Sequence, residues 1–454
     1  MKIYGLPDDE IREALKNGWV TVAVYGLGKM GLPLACIYAQ RGAKVIGVDI
    51  NPEVVAKIKQ GICPIKGEPG LSELLSFVLA SNRLRVSMDG INAAREADVM
   101  VILVPVLLDQ NKNPDLKALM EVGEMIAQGL NPGDFVILES TVPPRTTSNV
   151  LLPILKKSGL KEGDFGLAHC PERTMSGRAI KDISGAYPKV VGGINQKSTA
   201  TAAAIYSVIN QKGVVSVSDV TTAEMVKISE GIFRDVNIAL ANELALVCKE
   251  IGVIPEEVFN VANEPHDELS GRPYFNFHQP GAGVGGHCIP VYPYFITSTV
   301  KTEAPLIALA RKVNESMPYY LVKLVWEGLN EVQKNIAEAR ILVLGLAFRG
   351  GVKEERYSPA VPVIEKLKEL GADVYLYDPL FSSDEIMKTG AKPSVGFQGM
   401  DCLVIITDHA EFKDYNWQQI AYQMNSKVII DGRQIVSPEK VRKLGFIYKG
   451  IGRL

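Results

Sequence analysis

The sequence is short of several things, and each shortage removes a class of protein. Its six cysteines, at positions 36, 63, 170, 248, 288 and 402, are scattered. They form no C-x-x-C pair, and the chain has only five histidines to set beside them. That spacing argues against a zinc site or a disulfide framework and suits a reducing compartment, so no metal is expected. A charge excess is also missing: 49 Lys and Arg face 51 Asp and Glu, a net charge of −2. Neither nucleic acid nor a membrane surface is therefore expected as the main partner. No apolar run reaches the ~18 residues that span a bilayer. The charged stretch Met1–Trp19 lacks the apolar centre of a signal peptide, and we expect a cytoplasmic protein. No solenoid-length repeat or low-complexity tract is present.

What is there is glycine in two informative places. A chain of 454 residues, 47% hydrophobic, is too long for one core and calls for two or three domains. After a short N-terminal helix with Asp8 as candidate cap, Val20–Tyr25 reads as a buried parallel strand. Gly26, Leu27, Gly28, Lys29, Met30 and Gly31 follow at once, then a helix from about Leu32 to Arg41 and a second strand, Lys44–Val48, ending at Asp49. Strand, G-x-G-x-x-G, helix, strand and acid in this order form a dinucleotide fingerprint. Gly26 permits the turn, Gly28 lets backbone approach a pyrophosphate, and Gly31 lets helix and strand pack. The helix N-terminus presents N–H groups and partial positive charge to the phosphates. Asp49 can accept from both ribose hydroxyls and repels a 2′-phosphate, which favours NAD over NADP.

Strands alternating with helices continue through Asp98–Pro105, a helix Pro114–Gln128, Phe135–Ser140 and Gly166–Arg173. Ligands of open α/β sheets bind beyond the carboxyl ends of strands. Ser140, Thr141, Cys170, Glu172 and Arg173 fall there. Thr141 taken alone is equally a helix cap, and Glu172 alone an ordinary surface carboxylate. From Val220 to Ile251 apolar residues recur every three or four positions, including Ile228, Leu240 and Val247, as in a long amphipathic helix. Lys227 and Arg234 lie on a neighbouring face, where Lys227 alone reads as a solvated charge. A short helix, Pro255–Ala262, and a second long helical region, about Pro305–Val332, follow.

The second glycine cluster lies between them: Gly281, Gly283, Gly285 and Gly286 lead into His287 and Cys288. The thiol can be nucleophile, metal ligand or packing. The last third again reads as strands and helices: Arg340–Gly345, a helix Pro359–Leu370, Ala372–Tyr377, Cys402–Thr407 and Lys427–Asp431. Arg349, Lys353, Arg356 and Arg433 at its strand ends suit a nucleotide diphosphate. The expected architecture is α/β: two Rossmann-like, doubly wound domains joined by a helical middle domain with a long central helix. The expected boundaries are 1–215, 216–330 and 331–454.

Taken together these motifs resemble the UDP-glucose/GDP-mannose dehydrogenase family over essentially the whole chain. The resemblance rests on Gly26–Leu34, Ser140–Pro144, Pro171–Arg173, Ala223–Lys227, Arg234–Glu243, Gly283–Cys288 and Gly345–Phe348. The Pro171-Glu172-Arg173 turn, the Arg234–Glu243 helix and the loop ending at His287-Cys288 are more similar to the branch acting on UDP-N-acetylmannosamine than to the UDP-glucose branch. The resemblance implies oxidation of a sugar C6 alcohol to the uronate by two hydride transfers to NAD, in a homodimer or higher homo-oligomer. It implies Cys288 as nucleophile, Lys227 as oxyanion partner, and Glu172 with Thr141 as the pair handling protons and water. It implies Arg173, Lys227, Arg234, Arg272, Gly285, Arg349 and Arg433 as the UDP-sugar contacts, with Val104 and Thr141 beside the cofactor.

Four positions depart from the family pattern. The family's Asn one turn after the Lys is here Gly231, and its Asp four residues after the Cys is Tyr292. The strand-end V-P-T-P is Val104-Pro105-Val106-Leu107, and the A-F-K lysine is Arg349. A phenol with pKa ~10 is a poor base at neutral pH. The expectation is therefore that Lys227, working through water, takes the first proton.

Overall fold

Val22, Ala23, Val24 and Tyr25 are apolar and buried, the composition of a strand covered on both faces. This strand, Thr21–Tyr25 (β1), centres a sheet with Lys44–Val48 (β2), Leu84–Ser87 (β3), Val99–Ile102 (β4), Phe135–Leu138 (β5), Gly166–His169 (β6), Lys189–Gly193 (β7) and Val214–Ser216 (β8). Their spatial order is β8-β7-β6-β5-β4-β1-β2-β3. All neighbours are parallel except β6 and β7, which pair antiparallel at Ala168↔Gly193. The chain reverses at β1: β2 and β3 lie on one side, β4 to β8 on the other. A ligand-binding crevice belongs at such a switch point.

The computed structural model describes residues 1–453 except 176, 265, 269, 270, 272–274 and 395. The chain divides into two units, Met1–Glu230 with Tyr294–Val300, and Gly231–Pro293 with Lys301–Leu454. The helix Val220–Ile251 runs unbroken through the division. In the second unit it is joined to the helix Pro305–Glu331 by buried polar contacts. Arg311 pairs with Asp235 at 2.5 Å, and the Asn242 amide donates to Asn314 at 3.0 Å. The second sheet is wholly parallel. It contains Arg340–Leu344 (β9), Asp373–Tyr377 (β10), Lys392–Pro393 (β11), Cys402–Ile405 (β12), Val428–Asp431 (β13) and Ile447–Gly450 (β14), ordered β11-β10-β9-β12-β13-β14. The protein is thus α/β, with an N-terminal Rossmann-like sheet, a helical middle containing one long helix, and a C-terminal parallel sheet. No helix of the described residues is long and apolar enough to cross a membrane.

Several expectations need correction. Asp8 is not a cap: Pro7 holds that position, and Asp8, Asp9 and Glu10 fill the first turn, where carboxylates complement the helix dipole. β4 stops at Ile102, short of Pro105, because the Ser140 hydroxyl takes over the next backbone groups. It accepts from Val104 N at 2.9 Å and donates to Val104 O at 2.7 Å. The following helix starts at Lys117, since Pro114–Asp115 pairs with Leu107–Leu108 in a small antiparallel ribbon. The long helix does not carry one apolar core stripe. Ile228 is buried, whereas Leu240 and Val247 are exposed.

Candidate active site

The first glycine turn is shaped as its spacing predicts. Gly26 has φ +93°, and a Cβ there would collide with the Leu103 carbonyl. A Cβ at Gly31 would collide with the Gly26 carbonyl, so helix and turn can touch only without it. At Gly28 a Cβ would meet nothing within 4 Å, leaving open room before the N-terminus of the helix Gly31–Gln40. That is the room a pyrophosphate needs. Lys29 is exposed and Met30 half-buried beside it. Asp49, half-buried at the end of β2, accepts from Leu27 N through one oxygen and Asn51 N through the other, both at 2.8 Å. Each oxygen keeps a lone pair for a ribose hydroxyl. Val104 and Thr141, both half-buried, stand beyond β4 and β5.

Further along the same sheet three charges meet, Lys189 and Glu139 buried and Glu172 half-buried. Lys189, the first residue of β7, donates to Glu139 and to Glu172 at 2.9 Å each. Tyr206 donates its hydroxyl to the other oxygen of Glu139. The second oxygen of Glu172 accepts from the amides of Arg173 (2.8 Å) and Thr174 (2.9 Å) and from the Thr174 hydroxyl. Burial pushes Glu139 up to about 7 against the pull of Lys189. At Glu172 burial acts in the same sense, but the charge and hydrogen bond of Lys189, with Lys227 adding, hold the carboxyl below its usual range. Glu172 is therefore a fixed anion on a small cleft that Arg173, Tyr187, Lys189 and Tyr206 also line. Arg173 is tied to Glu230 at 2.5 Å and lies over the Tyr187 ring. Two strand-end candidates turn inward: Ser140 is buried on Val104, and Cys170 is buried, its thiol pushed well up by desolvation.

In the second unit, the other glycine cluster rests on the ends of the C-terminal sheet. Ala282 N donates to Gly432 O at 3.1 Å and Gly286 N to Arg356 O at 2.8 Å. A Cβ on Gly285 would come within 2.6 Å of Phe348 Cβ and 2.9 Å of the Tyr357 carbonyl. These glycines thus let two loops touch. Arg433 lies beside Gly281, its Nε donating to Ile406 O at 2.6 Å and Nη2 to Phe348 O at 2.9 Å. Burial lowers its pKa, opposed by Asp408 and Asp431. Cys288 is half-exposed at the end of the loop, where its carbonyl accepts from Val291 N and Tyr292 N at 3.1 Å each. Arg349 is exposed and stacks loosely on Phe348, and Arg234 is exposed on the long helix. Arg272 lies outside the described residues.

A nucleotide cradle, a charge-fixed carboxylate and a loop-borne thiol on one chain are matched by sequence comparison. Residues 20–210 match the NAD-binding domain, 221–316 the central domain and 342–438 the UDP-binding domain of UDP-glucose/GDP-mannose dehydrogenases. The chain belongs to the UDP-glucose/GDP-mannose dehydrogenase family. It is an NAD-dependent nucleotide-sugar dehydrogenase with a UDP-binding domain. The UDP-N-acetyl-D-mannosamine dehydrogenase of Pyrococcus horikoshii is 40% identical over 95% of this chain and 99% of its own length. That of Methanococcus vannielii is 36% identical over 95% and 96%. The solved UDP-N-acetyl-D-mannosamine dehydrogenase of P. horikoshii superposes with TM-score 0.86 at 38% identity, covering 95% of this chain and 99% of that one. An NDP-N-acetyl-D-galactosaminuronic acid dehydrogenase from Methanosarcina mazei gives 0.84 at 30% identity, covering 98% of each.

Within this dehydrogenase, the buried pair Glu139 and Lys189 went unnoticed in the sequence. Each offered a faint signal: a charge at one end of an otherwise apolar strand run, in Phe135–Glu139 and in Lys189–Val191. Tyr206 and Glu354 gave none.

Proposed function

We propose that the enzyme oxidises C6 of a UDP-N-acetylhexosamine, with UDP-N-acetyl-D-mannosamine as the first substrate to try, through to the uronate. Each sugar would consume two NAD and one water and give two NADH, the carboxylate and three protons. NAD, held by Gly26–Gly31 and Asp49, supplies the hydride acceptor for both oxidations. Cys288 adds to the aldehyde as a thiohemiacetal and carries the acyl group as a thioester. Lys227 partners the oxyanion and, through water, takes the first proton. Glu172, with Thr141, manages protons and water when the thioester is hydrolysed. The UDP-sugar contacts proposed are Arg173, Lys227, Arg234, Arg272, Gly285, Arg349 and Arg433, and Val104 borders the cofactor.

The observation that carries this reading is Cys288 at the end of a glycine loop seated on Phe348 and beside Arg433, inside the unit that contains the UDP-binding domain. The related UDP-N-acetyl-D-mannosamine dehydrogenases support the choice of sugar. The domain limits 1–215, 216–330 and 331–454 are proposed alongside, supported by the three matched segments. So are a cytoplasmic location, supported by six free cysteines, and a homodimer. Gly231 and Tyr292 favour one second reading, a nucleotide-sugar binder with impaired catalysis, because neither the amide nor the carboxylate of the family pattern stands there. The test is an incubation with NAD and a panel of UDP-N-acetylmannosamine, UDP-N-acetylglucosamine, UDP-glucose and GDP-mannose. Two NADH per uronate from the first sugar supports the proposal, and two from another sugar moves the substrate. Tight binding without NADH establishes the second reading.

A further inference from the structure

His287 precedes the thiol-bearing residue of the loop, and its side chain has two partners. Nδ1 lies 2.7 Å from a carboxylate oxygen of Glu354, which is largely buried while the imidazole is 43% exposed. The imidazole is also hydrogen-bonded to the Cys288 thiol. The loop geometry maintains this contact. Gly286, at φ +85°, packs on the Phe348 ring and donates to Arg356 O, so the turn carrying His287 is pinned to the segment carrying Glu354. That segment also holds Arg349, Lys353, Glu355 and Arg356. Lys353 is engaged by Glu385 at 2.7 Å, and the groups acting on the imidazole are Cys288 and Glu354.

We propose that His287 is the base that ionises Cys288, with Glu354 as the positioning residue that holds the ring and steadies its charge. A thiol, an imidazole and a carboxylate in sequence are what thiolate activation requires. The inference rests on the reading of Cys288 as acyl carrier. The S–H proton passes to the imidazole. The thiolate adds to the aldehyde carbon, the carbonyl π bond breaks, and its oxygen takes a proton from the imidazolium. In the second oxidation, for which bound NAD would supply the hydride acceptor, the hydroxyl proton returns to His287 as the thioester carbonyl forms. Consistent with this, hydrogen bonds from Cys288 and then Glu354 push the imidazole pKa up to about 10.

Alkylation of the intact protein by iodoacetamide tests this, with the Cys288 peptide quantified by mass spectrometry from pH 5 to 10. Cys36, Cys170 and Cys402 are buried and do not compete. In the wild type the Cys288 midpoint is expected at least one unit below the ~8.5 of a free thiol. His287→Asn should return it to that value, slowing alkylation at pH 6.5 about tenfold, with NAD binding retained. Glu354→Gln, which keeps the imidazole, should give an intermediate midpoint, and it serves alone if His287→Asn does not fold. A midpoint unchanged by either variant overturns the proposal, since a packing role for His287 does not move a thiol titration. The result is independent of turnover. An acidic, His287-dependent thiol in a protein that yields no NADH leaves this inference standing and sinks the oxidation. An ordinary thiol in a protein making two NADH per sugar does the reverse.

Discussion

The ring of Tyr292 fills the space that a side chain at position 231 would need. A Cβ built on Gly231 would collide with Tyr292 Cδ2 and lie 3.2 Å from Cγ and Cε2. Tyr292 is buried in this contact region at the start of the helix Tyr292–Thr297. These are the two positions where the family pattern has an amide and a carboxylate. The two are sterically linked: the large ring at one requires the absence of a side chain at the other.

Neither position should therefore revert alone. Gly231→Asn forces atoms into the ring and should cost about 1–3 kcal/mol, less the roughly 0.3 kcal/mol a helix gains when Gly gives way to Asn, itself a weak helix former. Tyr292→Asp leaves a void holding a carboxylate and should also destabilise. The double variant should recover, with a coupling of about 1 kcal/mol or more in a urea double-mutant cycle. Additive effects of the two changes would falsify the coupling.

Lys189 is the only cation hydrogen-bonded to both Glu139 and Glu172 among the described residues. Lys189→Met leaves two carboxylates facing each other, a change that costs about 3–5 kcal/mol when one partner of a buried pair is removed. Without the lysine both carboxyl pKa values rise above their unfolded values, so stability is retained at low pH and lost as pH increases through the raised values. Thermal unfolding should show a larger deficit at pH 8 than at pH 5. An equal deficit at both would mean that Lys189 acts by packing alone. If Glu172 manages the water step, the variant should also release NADH in a rapid phase of two per site, then slowly.

His169 gives a second pH test. It is fully buried beside Cys170, and neither ring nitrogen has a hydrogen-bond partner among the described residues. Burial, with the Lys189 charge adding, pushes its pKa down to about 3. The unfolded chain takes up this proton near pH 6.5 while the folded one does not, so stability falls as pH drops from there. By linkage the loss is about 1 kcal/mol between pH 6.5 and 5.5. His169→Leu should remove that increment from urea unfolding curves at the two pH values. An identical slope in wild type and variant would show that the imidazole protonates in the fold.

What the sequence disclosed and what it hid divide by the reach of the constraint. Gly26, Gly31 and Asp49 were legible because their roles are set within one strand–turn–helix–strand unit, where spacing alone fixes geometry. Four of the six strands of the second sheet were legible from alternation alone, whereas Lys392–Pro393 and Ile447–Gly450 were not. Lys189 was not, since its partners lie 50 and 17 residues earlier and meet it only when β5, β6 and β7 align. Glu354 was hidden for the same reason, 67 residues from His287. Gly231 and Tyr292 were visible as departures, but a list of departures does not tell that two of them touch. The helix Val220–Ile251 shows the opposite limit. Its periodicity revealed a helix correctly and could not say which of two apolar faces the chain itself covers.

That second face supports a further prediction. Phe233, Leu240 and Val247 recur every seven residues along the long helix, and all three remain exposed, with Ile251 beyond them. Seven residues is close to two helical turns, so the three side chains stand in one row. Trp326 and Tyr319 of the helix Pro305–Glu331 are exposed as well. Burying a large apolar side chain is worth roughly 1.5–3 kcal/mol, and a twofold interface counts each residue twice. An exposed apolar row of this kind suits a second copy of the chain. Light scattering after gel filtration should find a dimer at micromolar concentration. Phe233→Glu with Leu240→Glu should give monomers whose far-UV spectrum is unchanged. A wild-type monomer at that concentration, or a dimer untouched by both substitutions, would place the self-association surface elsewhere or remove it.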